Sequence, residues 1–327
     1  AFKVAMIKEI EDQWDNGNFW LIKHSEVPSN KNILLGVWAL RRKRDVLTQV
    51  VKKHKAHWNL DGSKQQHGID FDQTYSPTAN WPSIWLLLTL TLLNGWHTKQ
   101  LDFIQAFPQA KISHQPYVEL PKGIQIDGID PQDWVFEVLN NVYGGKDAGR
   151  QWYLHLKDML ELIGFKHSAY NECTFFRGRV MYTLYTDDTI LAGPTEEELD
   201  DCILDMQHAG LILTVEGKLA NFLGVNITRH DDGSFELTQP RLIDSVITEA
   251  FCTDQELPTP KVVPMASSKL WSRHPESDDF QGPYQVRQIV GKLNFLANST
   301  RADIAYATHQ IARFVSCPKV EHGKAIE

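Results

Sequence analysis

The sequence has few cysteines and no apolar segment long enough to cross a membrane. Cys173, Cys202, Cys252 and Cys317 lie far apart and form no Cys-x-x-Cys pair. They therefore indicate free thiols in a reducing compartment, not a zinc site or a disulfide framework. The longest apolar run, IWLLLTLTLL at 84–93, is too short to span a bilayer and predicts a buried helix. No N-terminal segment has the pattern of a signal peptide.

Basic residues are outnumbered, with 33 Lys and Arg against 41 Asp and Glu and a net charge of −8. This balance weakly disfavours a nucleic-acid partner, but the charges are unevenly placed. Residues 1–60 carry 11 bases and 6 acids, including RRKR at 41–44 and KKHK at 52–55, whereas residues 181–240 carry 2 bases and 12 acids. Two interpretations stay open: two solvated faces, or a phosphate-binding basic lobe beside an acidic lobe that holds metal.

The length of 327 residues and the 42% apolar content allow two domains, or one large subdivided domain. Hydrophobic periodicity predicts an α+β fold whose last quarter is a small helical unit behind a Pro/Ser-rich linker at 258–283. The predicted elements are a helix and strand over 8–22, a basic hairpin over 36–56, a helix at 83–95, a strand ending near Asp102, a helix at 148–165, a strand-turn-strand at 180–193, a helix at 196–210 and a hairpin at 221–239.

Two adjacent acids, Asp187 and Asp188, interrupt the apolar, β-prone stretch TLYTDDTILAG at 183–193. Aspartate is common in turns, so a solvated hairpin tip is the simple explanation. The apolar flanks and the absence of a turn glycine argue against it. A third acid, Asp102, also lies late in a predicted strand, and three converging carboxylates could hold two divalent cations, about 3.5–4 Å apart. Mg²⁺ suits such oxygen ligands best, and it would activate a 3′ hydroxyl and stabilise a pyrophosphate leaving group.

Six sequence blocks follow one another and cover essentially the whole chain. They are KAH…GIDFDQTYSP at 55–77, QLDFIQAFPQA at 100–110, VYGGKDAGRQWY at 142–153, LYTDDTIL at 184–191, FLGVNI at 222–227 and VGKLNFLANSTRADIAYATHQIARF at 290–314. Together they resemble the reverse transcriptases of copia-type LTR retrotransposons. The Y-x-D-D motif alone is a weak signal, but six blocks in sequence are a strong one.

The resemblance implies a right-hand polymerase, with an antiparallel palm sheet that carries the Y-x-D-D hairpin. The implied divisions are fingers at 1–95 and 114–150, palm at 96–113 and 151–239 with a primer-grip-like hairpin at 221–239, and a helical thumb at 240–327 that can extend into the start of a connection. The family's RNase H domain has no counterpart before Glu327. We therefore expect a processed or truncated polymerase portion of a polyprotein.

The implied activity is RNA-directed DNA synthesis, which extends a primer 3′ end with deoxynucleotides on an RNA or DNA template. The implied cofactor is Mg²⁺, two per site, with Mn²⁺ as the alternative. The implied partners are the primer–template, dNTPs and an RNase H domain or other polyprotein products, with no membrane. The expected location is cytoplasmic, in a virus-like particle, or nuclear, and the oligomeric state is left open.

The resemblance also assigns roles to individual residues. Asp102, Asp187 and Asp188, with the backbone of Phe103, would hold the metals, and Asp188 would matter less for direct ligation. The implied nucleotide-binding residues are Lys53, Lys55, His57, Ala106, Phe107, Tyr143 and Gly144. The implied primer and template contacts are Lys146, Arg150, Tyr185, Thr186, Phe222, Leu223 and Gly224. Phe107 would be the steric gate against ribose, with a core aromatic as the alternative, and the lysines and Arg150 could equally be solvated surface cations.

Four positions depart from the family pattern. His57 replaces an arginine that would bind a triphosphate better, while Gly145, Asp147 and Gly149 replace Leu, Gln and Pro. Asp147 would place an anion near the nucleic-acid path, and Gly149 would loosen a turn. These changes motivate a second hypothesis, a decayed or domesticated copy that binds nucleic acid or protein without catalysis. A third hypothesis is a template-independent nucleotidyltransferase.

Overall fold

A computed structural model describes residues 1–44, 50–251, 263–265 and 277–326. It divides into two compact units, one formed by residues 1–83 and 96–218 and the other by residues 84–95 and 219–327. Both units mix helices with antiparallel strands, so the predicted α+β class is confirmed.

The described strands are β1 (Phe19–Lys23), β2 (Ile33–Leu34), β3 (Gly36–Arg44), β4 (Val51–Leu60), β5 (His97–Phe103), β6 (Tyr117–Glu119), β7 (Trp134–Val138), β8 (Lys166–His167), β9 (Thr174–Arg177), β10 (Val180–Tyr185), β11 (Asp188–Gly193), β12 (Leu213–Gly217), β13 (Asn221–Phe222), β14 (Val225–Arg229) and β15 (Phe235–Thr238). The described α-helices are α1 (Phe2–Asp15), α2 (Trp81–Asn94), α3 (Ala106–Gln109), α4 (Ala148–Leu162), α5 (Glu196–His208), α6 (Pro240–Phe251), α7 (Val286–Ser299), α8 (Ala305–Ala312) and α9 (Val320–Lys324).

The first unit begins with α1, a four-stranded sheet ordered β1-β7-β6-β2, and the β3–β4 hairpin. Phe19 stacks on Phe136 at 4.1 Å and meets Trp58 edge-on, so a cluster of aromatic rings forms this core. The hairpin pairs Arg41 with Lys55, which confirms the predicted basic hairpin over 36–44 and 51–56. The tip expected at 45–49 lies outside the described residues.

A six-stranded sheet, ordered β12-β5-β11-β10-β9-β8, forms the rest of the first unit. Successive side chains of a strand point to opposite faces, so Leu101 and Leu191 face one side while Asp102 and Asp188 face the other. Helices α4 and α5 cover the apolar face, where their buried side chains, Leu156 among them, complete the core. The strand alternation therefore leaves the acids on the face opposite to the main core.

The second unit contains the β13–β14–β15 meander, most of α2 and helices α6 to α9. The meander confirms the predicted hairpin at 221–239, and the helices confirm the predicted helical segment after Pro240. Trp85 of α2 donates its indole N–H to the carbonyl of Ser299 at 3.3 Å. The linker predicted at 258–283 lies mostly outside the described residues.

Residues 84–93 form a helix, as predicted. The prediction that this helix is buried is wrong. One stripe of α2, including Ile84, Leu87 and Leu88, is buried, while Leu86 and Leu93 are exposed. A run that is apolar all round does not show which stripe packs, because every face has the same pattern. None of the described helices combines the length and apolar content that a membrane crossing needs.

Candidate active site

The twin acids lie at the tip of the β10–β11 hairpin. Tyr185 pairs with Asp188, so Thr186 and Asp187 form a two-residue turn. Thr186 has φ of +60°, a conformation that β-branched residues rarely adopt and that turns of this kind usually assign to glycine. The indole N–H of Trp152 donates a 2.7 Å hydrogen bond to the Thr186 carbonyl. The turn is thus strained and is held by a buried side chain.

Strand pairing brings Asp102 to the twin acids. Asp102 of β5 lies directly opposite Asp188 of β11, and residues opposite each other in an antiparallel pair have Cβ atoms about 5 Å apart. Burial, and then the charges of Asp187 and Asp102, raise the pKa of Asp188 to about 6. The fold therefore concentrates negative charge at the end of the sheet where β5 ends and β11 begins.

This acidic cluster does not form a closed three-ligand cage. Among the described residues, no group of three Asp, Glu, His or Cys side chains is arranged to hold a metal ion. Mg²⁺ in nucleotide-processing sites is usually held by one or two carboxylates together with substrate phosphates and water. Asp102 and Asp187, which line one cavity, fit that ligand set, and Asp188 lies beside Asp102 on the neighbouring strand.

A cavity of about 660 Å³ in the first unit brings many of the predicted site residues together. Its size lies in the range of small-molecule sites. Asp102 and Asp187 line it together with Phe103, whose backbone was the predicted metal contact, and with Lys53 and Lys55 of β4. The remaining lining residues are Ala1, Val4, Ala5, Lys8, Glu9, Asp12, Gln13, Lys52, His54, Ala56, His57, Ile104, Gln105 and Tyr143.

The contribution of α1 to this cavity could not be predicted from the sequence. Glu9 of α1 approaches Nδ1 of His57 to 3.5 Å, an ion-pair contact without hydrogen-bond geometry. Its carboxylate also accepts a long hydrogen bond of 3.4 Å from the backbone N–H of Trp58. The amphipathic spacing of 8–15 predicted a helix, but helical spacing identifies a buried face and not the element that it meets. His57 thus has a carboxylate neighbour.

Aromatic rings continue from His57 toward α3. The ring centroid of Tyr143 lies 5.5 Å from that of His57 and 4.9 Å from that of Phe107. Burial, and then the charges of Asp187, Glu9 and Asp102, raise the pKa of Tyr143 to about 12, so its hydroxyl stays protonated at neutral pH. Phe107 is half-buried against the core, and Ala106 is buried, so neither lines the cavity itself.

Gly144 is required by the backbone around it. Its φ is +88°, and a Cβ at this position would lie 2.1 Å from the carbonyl oxygen of Leu60. The Leu60 N–H donates to the carbonyl of Tyr143 at 2.7 Å, so the two segments are in direct backbone contact. The absence of a side chain at Gly144 thus serves a close backbone approach to strand β4, and its predicted contact with the nucleotide stays a prediction.

Lys146 and Arg150 are both engaged within the first unit. The Nζ of Lys146 lies 4.8 Å from the ring centroid of Phe71 and donates to the carbonyl of Gln65. Arg150 donates to the carbonyl of Tyr75 at 3.1 Å. These contacts give both cations a structural role, and their predicted nucleic-acid contacts stay predictions.

Asp147 is a buried carboxylate, and its predicted nearness to the nucleic-acid path stays a prediction. Asp147 is 7% exposed, and its carboxylate accepts a 2.6 Å hydrogen bond from the hydroxyl of Ser113. A buried carboxylate needs such partners because desolvation is costly. A Cβ added at Gly145 or Gly149 would make only ordinary van der Waals contacts, with no heavy atom closer than 3.5 Å.

Replacing Ser113 with alanine should destabilise the protein by about 1–3 kcal/mol, because it removes a hydrogen bond from the buried Asp147 carboxylate. Urea denaturation of wild type and Ser113→Ala measures this loss. The variant Ser113→Thr, which keeps the hydroxyl, is the control. An unchanged midpoint for Ser113→Ala would contradict the structural role assigned to Asp147.

The predicted primer contacts fall in both units. Tyr185 is half-buried against the core of the first unit. Phe222 of the second unit is buried and pairs with Val225, which makes Leu223 and Gly224 a two-residue turn. Both turn residues have positive φ, +50° and +77°, as a type I′ turn requires. The sequence predicted this hairpin region but not the turn at Leu223.

The first unit thus combines an antiparallel sheet that carries paired acids at a strand-turn-strand with a basic hairpin that lines the same cavity. The chain belongs to the reverse transcriptase (RNA-dependent DNA polymerase) family, whose model matches residues 18–267. This match includes Asp102, Asp187 and Asp188 and confirms the resemblance found in the sequence motifs.

The relatives are Pol polyproteins of copia/Ty1-type retrotransposons. The chain is 30% identical to the retrovirus-related Pol polyprotein from transposon RE1 of Arabidopsis thaliana, over 99% of this chain and 22% of the relative. It is 27% identical to that from transposon TNT 1-94 of Nicotiana tabacum, over 99% and 24%, and 25% identical to the transposon Ty1-BL Gag-Pol polyprotein of Saccharomyces cerevisiae, over 93% and 17%. The chain thus spans less than a quarter of these relatives.

Among solved structures, the foamy viral protease-reverse transcriptase in complex with double-stranded DNA is similar to this protein. The alignment covers 99% of this chain and 46% of the foamy viral chain. The sequence identity is 14% and the TM-score 0.49, a likeness too low to carry an argument.

Proposed function

We propose that this chain is an active RNA-directed DNA polymerase that extends a primer 3′ end with deoxynucleotides on an RNA or DNA template. One observation carries the proposal: a single cavity is lined by acidic side chains that include Asp102 and Asp187, and by cationic side chains that include Lys53 and Lys55. Nucleotide addition needs both, because the triphosphate is anionic and its metal needs oxygen ligands. Family membership independently supports this chemistry.

The acidic, cationic and aromatic side chains named here would each have a part in the reaction. The ammonium groups of Lys53 and Lys55 bind the triphosphate of the incoming nucleotide, and Tyr143, supported by Phe107, shapes the wall beside its sugar. Asp102 and Asp187 would hold Mg²⁺, two ions with Mn²⁺ as the alternative, which when bound lower the pKa of the primer 3′ hydroxyl and offset charge on the pyrophosphate. The primer O3′–Pα bond forms as the bond from Pα to the pyrophosphate oxygen breaks, and the hydroxyl proton leaves to solvent.

The right-hand division belongs to this proposal. Fingers would comprise 1–95 and 114–150, palm 96–113 and 151–239, and thumb 240–327. Tyr185, Thr186, Lys146, Arg150 and the turn at 222–224 would contact primer or template. An RNase H domain or other polyprotein products would be partners, and a cytoplasmic virus-like particle would be the site of action.

Primer extension tests the proposal directly. Purified protein should extend a DNA primer on an RNA template with dNTPs and Mg²⁺, and excess EDTA should abolish extension. Asp187→Asn should lower the rate at least about 100-fold, since loss of a group that only orients a metal ligand already costs 10–100-fold. A preparation that is folded and binds duplex yet shows no metal-dependent extension would contradict the proposal.

That negative outcome would favour the second function, a binding scaffold without catalysis. The scaffold hypothesis is motivated by His57, which lines the cavity and stands where the family pattern has an arginine. The scaffold should bind primer–template duplex with an affinity that falls steeply with salt. The retention of Asp102, Asp187 and Asp188, whose mutual repulsion disfavours folding, argues against it. Extension of a primer without a template would instead indicate template-independent transfer.

A further inference from the structure

The indole of Trp152 contacts both chain segments that carry the cavity acids. Trp152 lies on α4 and is 1% exposed. Its N–H donates to the carbonyl of Thr186, the residue directly before Asp187, at 2.7 Å. Its ring meets that of Phe103, the residue directly after Asp102, edge-on with 5.0 Å between centroids.

The hydrogen bond falls at the strained point of the turn. Thr186 has φ of +60°, and a non-glycine residue in such a region is strained and persists only where the surroundings hold it. Thr186 is half-buried, so losing the indole donor would remove a hydrogen bond from a partly desolvated carbonyl. The indole N–H therefore stabilises the strained conformation of the turn.

We propose that Trp152 is a positioning residue for the candidate active site. It acts through the Thr186 carbonyl and the Phe103 ring, and so fixes Asp187 and Asp102 relative to each other on the cavity wall. The catalytic consequence rests on the proposed polymerase function, whereas the fixing of the turn does not. The competing explanation is an ordinary core tryptophan whose loss lowers stability alone.

Helix α4 offers a matched control in the next residue. The hydroxyl of Tyr153 donates to the carbonyl of Glu172 at 3.1 Å, and Tyr153 is buried like Trp152. Trp152→Phe and Tyr153→Phe thus each remove one hydrogen bond from an α4 side chain to a backbone carbonyl. Only Trp152→Phe removes a bond to the acidic turn.

Amide hydrogen exchange of the protein, followed in a proteolytic peptide that covers 180–193, tests the fixing of the turn without metal or substrate. We expect Trp152→Phe to speed exchange at Asp187 and Asp188 at least tenfold and Tyr153→Phe to leave it within twofold of wild type, roughly as loss of one buried hydrogen bond predicts. Equal exchange in the two variants would overturn the assignment whatever the activity of the wild type. Thermal unfolding of both variants reports the general loss of stability.

Mn²⁺ titration followed by electron paramagnetic resonance, and steady-state primer extension, test the consequence. We expect Trp152→Phe to weaken Mn²⁺ binding about tenfold and to lower kcat about 10–100-fold, with the KM for dNTP changed less than about threefold. If Trp152 had a purely structural role, Mn²⁺ affinity and kcat would fall alike in Trp152→Phe and Tyr153→Phe. A wild type that fails to extend primers would contradict the proposed function, while the exchange comparison would still decide the positioning role.

A second substitution covers the case in which Trp152→Phe does not fold. Thr186→Gly removes the steric strain of positive φ, so the double variant Trp152→Phe with Thr186→Gly should fold and regain part of the slow exchange. Failure of both Trp152 variants to fold, with Tyr153→Phe folded, would show that Trp152 serves the core as a whole and would overturn the proposal.

Discussion

Asp102→Asn should abolish primer extension and at the same time stabilise the metal-free protein. Asp102 lies opposite Asp188 and shares the cavity with Asp187, so its charge is repelled by both neighbours. Removing one like charge from a partly exposed cluster should raise the free energy of unfolding by about 0.5–1 kcal/mol. Extension should fall at least about 100-fold, because the amide is a much poorer Mg²⁺ ligand than the carboxylate.

The stability gain should depend on pH in a defined direction. Burial, followed by Asp187 and Asp102, raises the pKa of Asp188 to about 6, above its ordinary value near 4. An acid whose folded pKa is raised favours folding when protonated, so the repulsion is absent at low pH and fully present above pH 6. Urea denaturation in EDTA should therefore show a larger gain for Asp102→Asn at pH 8 than at pH 5.

Glu216 provides a matched control for the charge. It also contributes to the raised pKa of Asp188, accepts a hydrogen bond from Gln100 at 2.8 Å and does not line the cavity. Glu216→Gln should retain extension within about threefold, because Glu216 does not line the cavity in which the substrate is proposed to bind. Normal extension by Asp102→Asn, or equal loss in both variants, would show that Asp102 is not a metal ligand.

Much of the acidic site could be predicted from sequence because strands leave local signals. Alternation marked β5, and apolar, β-prone residues marked β10 and β11. The placement of Asp102, Asp187 and Asp188 at strand ends implied their convergence. A short turn brings β10 and β11 together, whereas Asp102 lies far earlier in the chain and meets Asp188 through the order of strands in the sheet. The family motifs supplied the roles, which periodicity alone does not contain.

The features that escaped prediction depend on partners far apart in the chain. The helical pattern of 8–15 could not show that Glu9 meets His57, and the charge of Asp147 could not show that it is buried against Ser113. The positive φ of Thr186 could not be predicted either. A turn without glycine indicates backbone strain only when the strand residues that pair across the turn are known. Tertiary packing decides such contacts, and local sequence preference does not.

Gly144→Ala should be the most destabilising single-methyl change near the site. The residue has φ of +88°, and the added Cβ would lie 2.1 Å from the Leu60 carbonyl oxygen. Relief requires the segment to leave β4 and lose the hydrogen bond from Leu60 to Tyr143. We expect the free energy of unfolding to fall by roughly 3–5 kcal/mol, the combined size of backbone strain and steric displacement.

The neighbouring glycine separates this cause from a general effect of the substitution. Gly145 does not have positive φ, and its Cβ would meet only ordinary contacts, the nearest at 3.5 Å. Gly145→Ala should therefore stabilise the protein by about 0.4–1 kcal/mol through the unfolded chain. Urea denaturation of both variants measures the difference, and Gly144→Ala should also raise the KM for dNTP, because Tyr143 moves with its neighbour. If the two variants were equally stable, the backbone contact between Gly144 and Leu60 could not be what holds Tyr143 at the cavity.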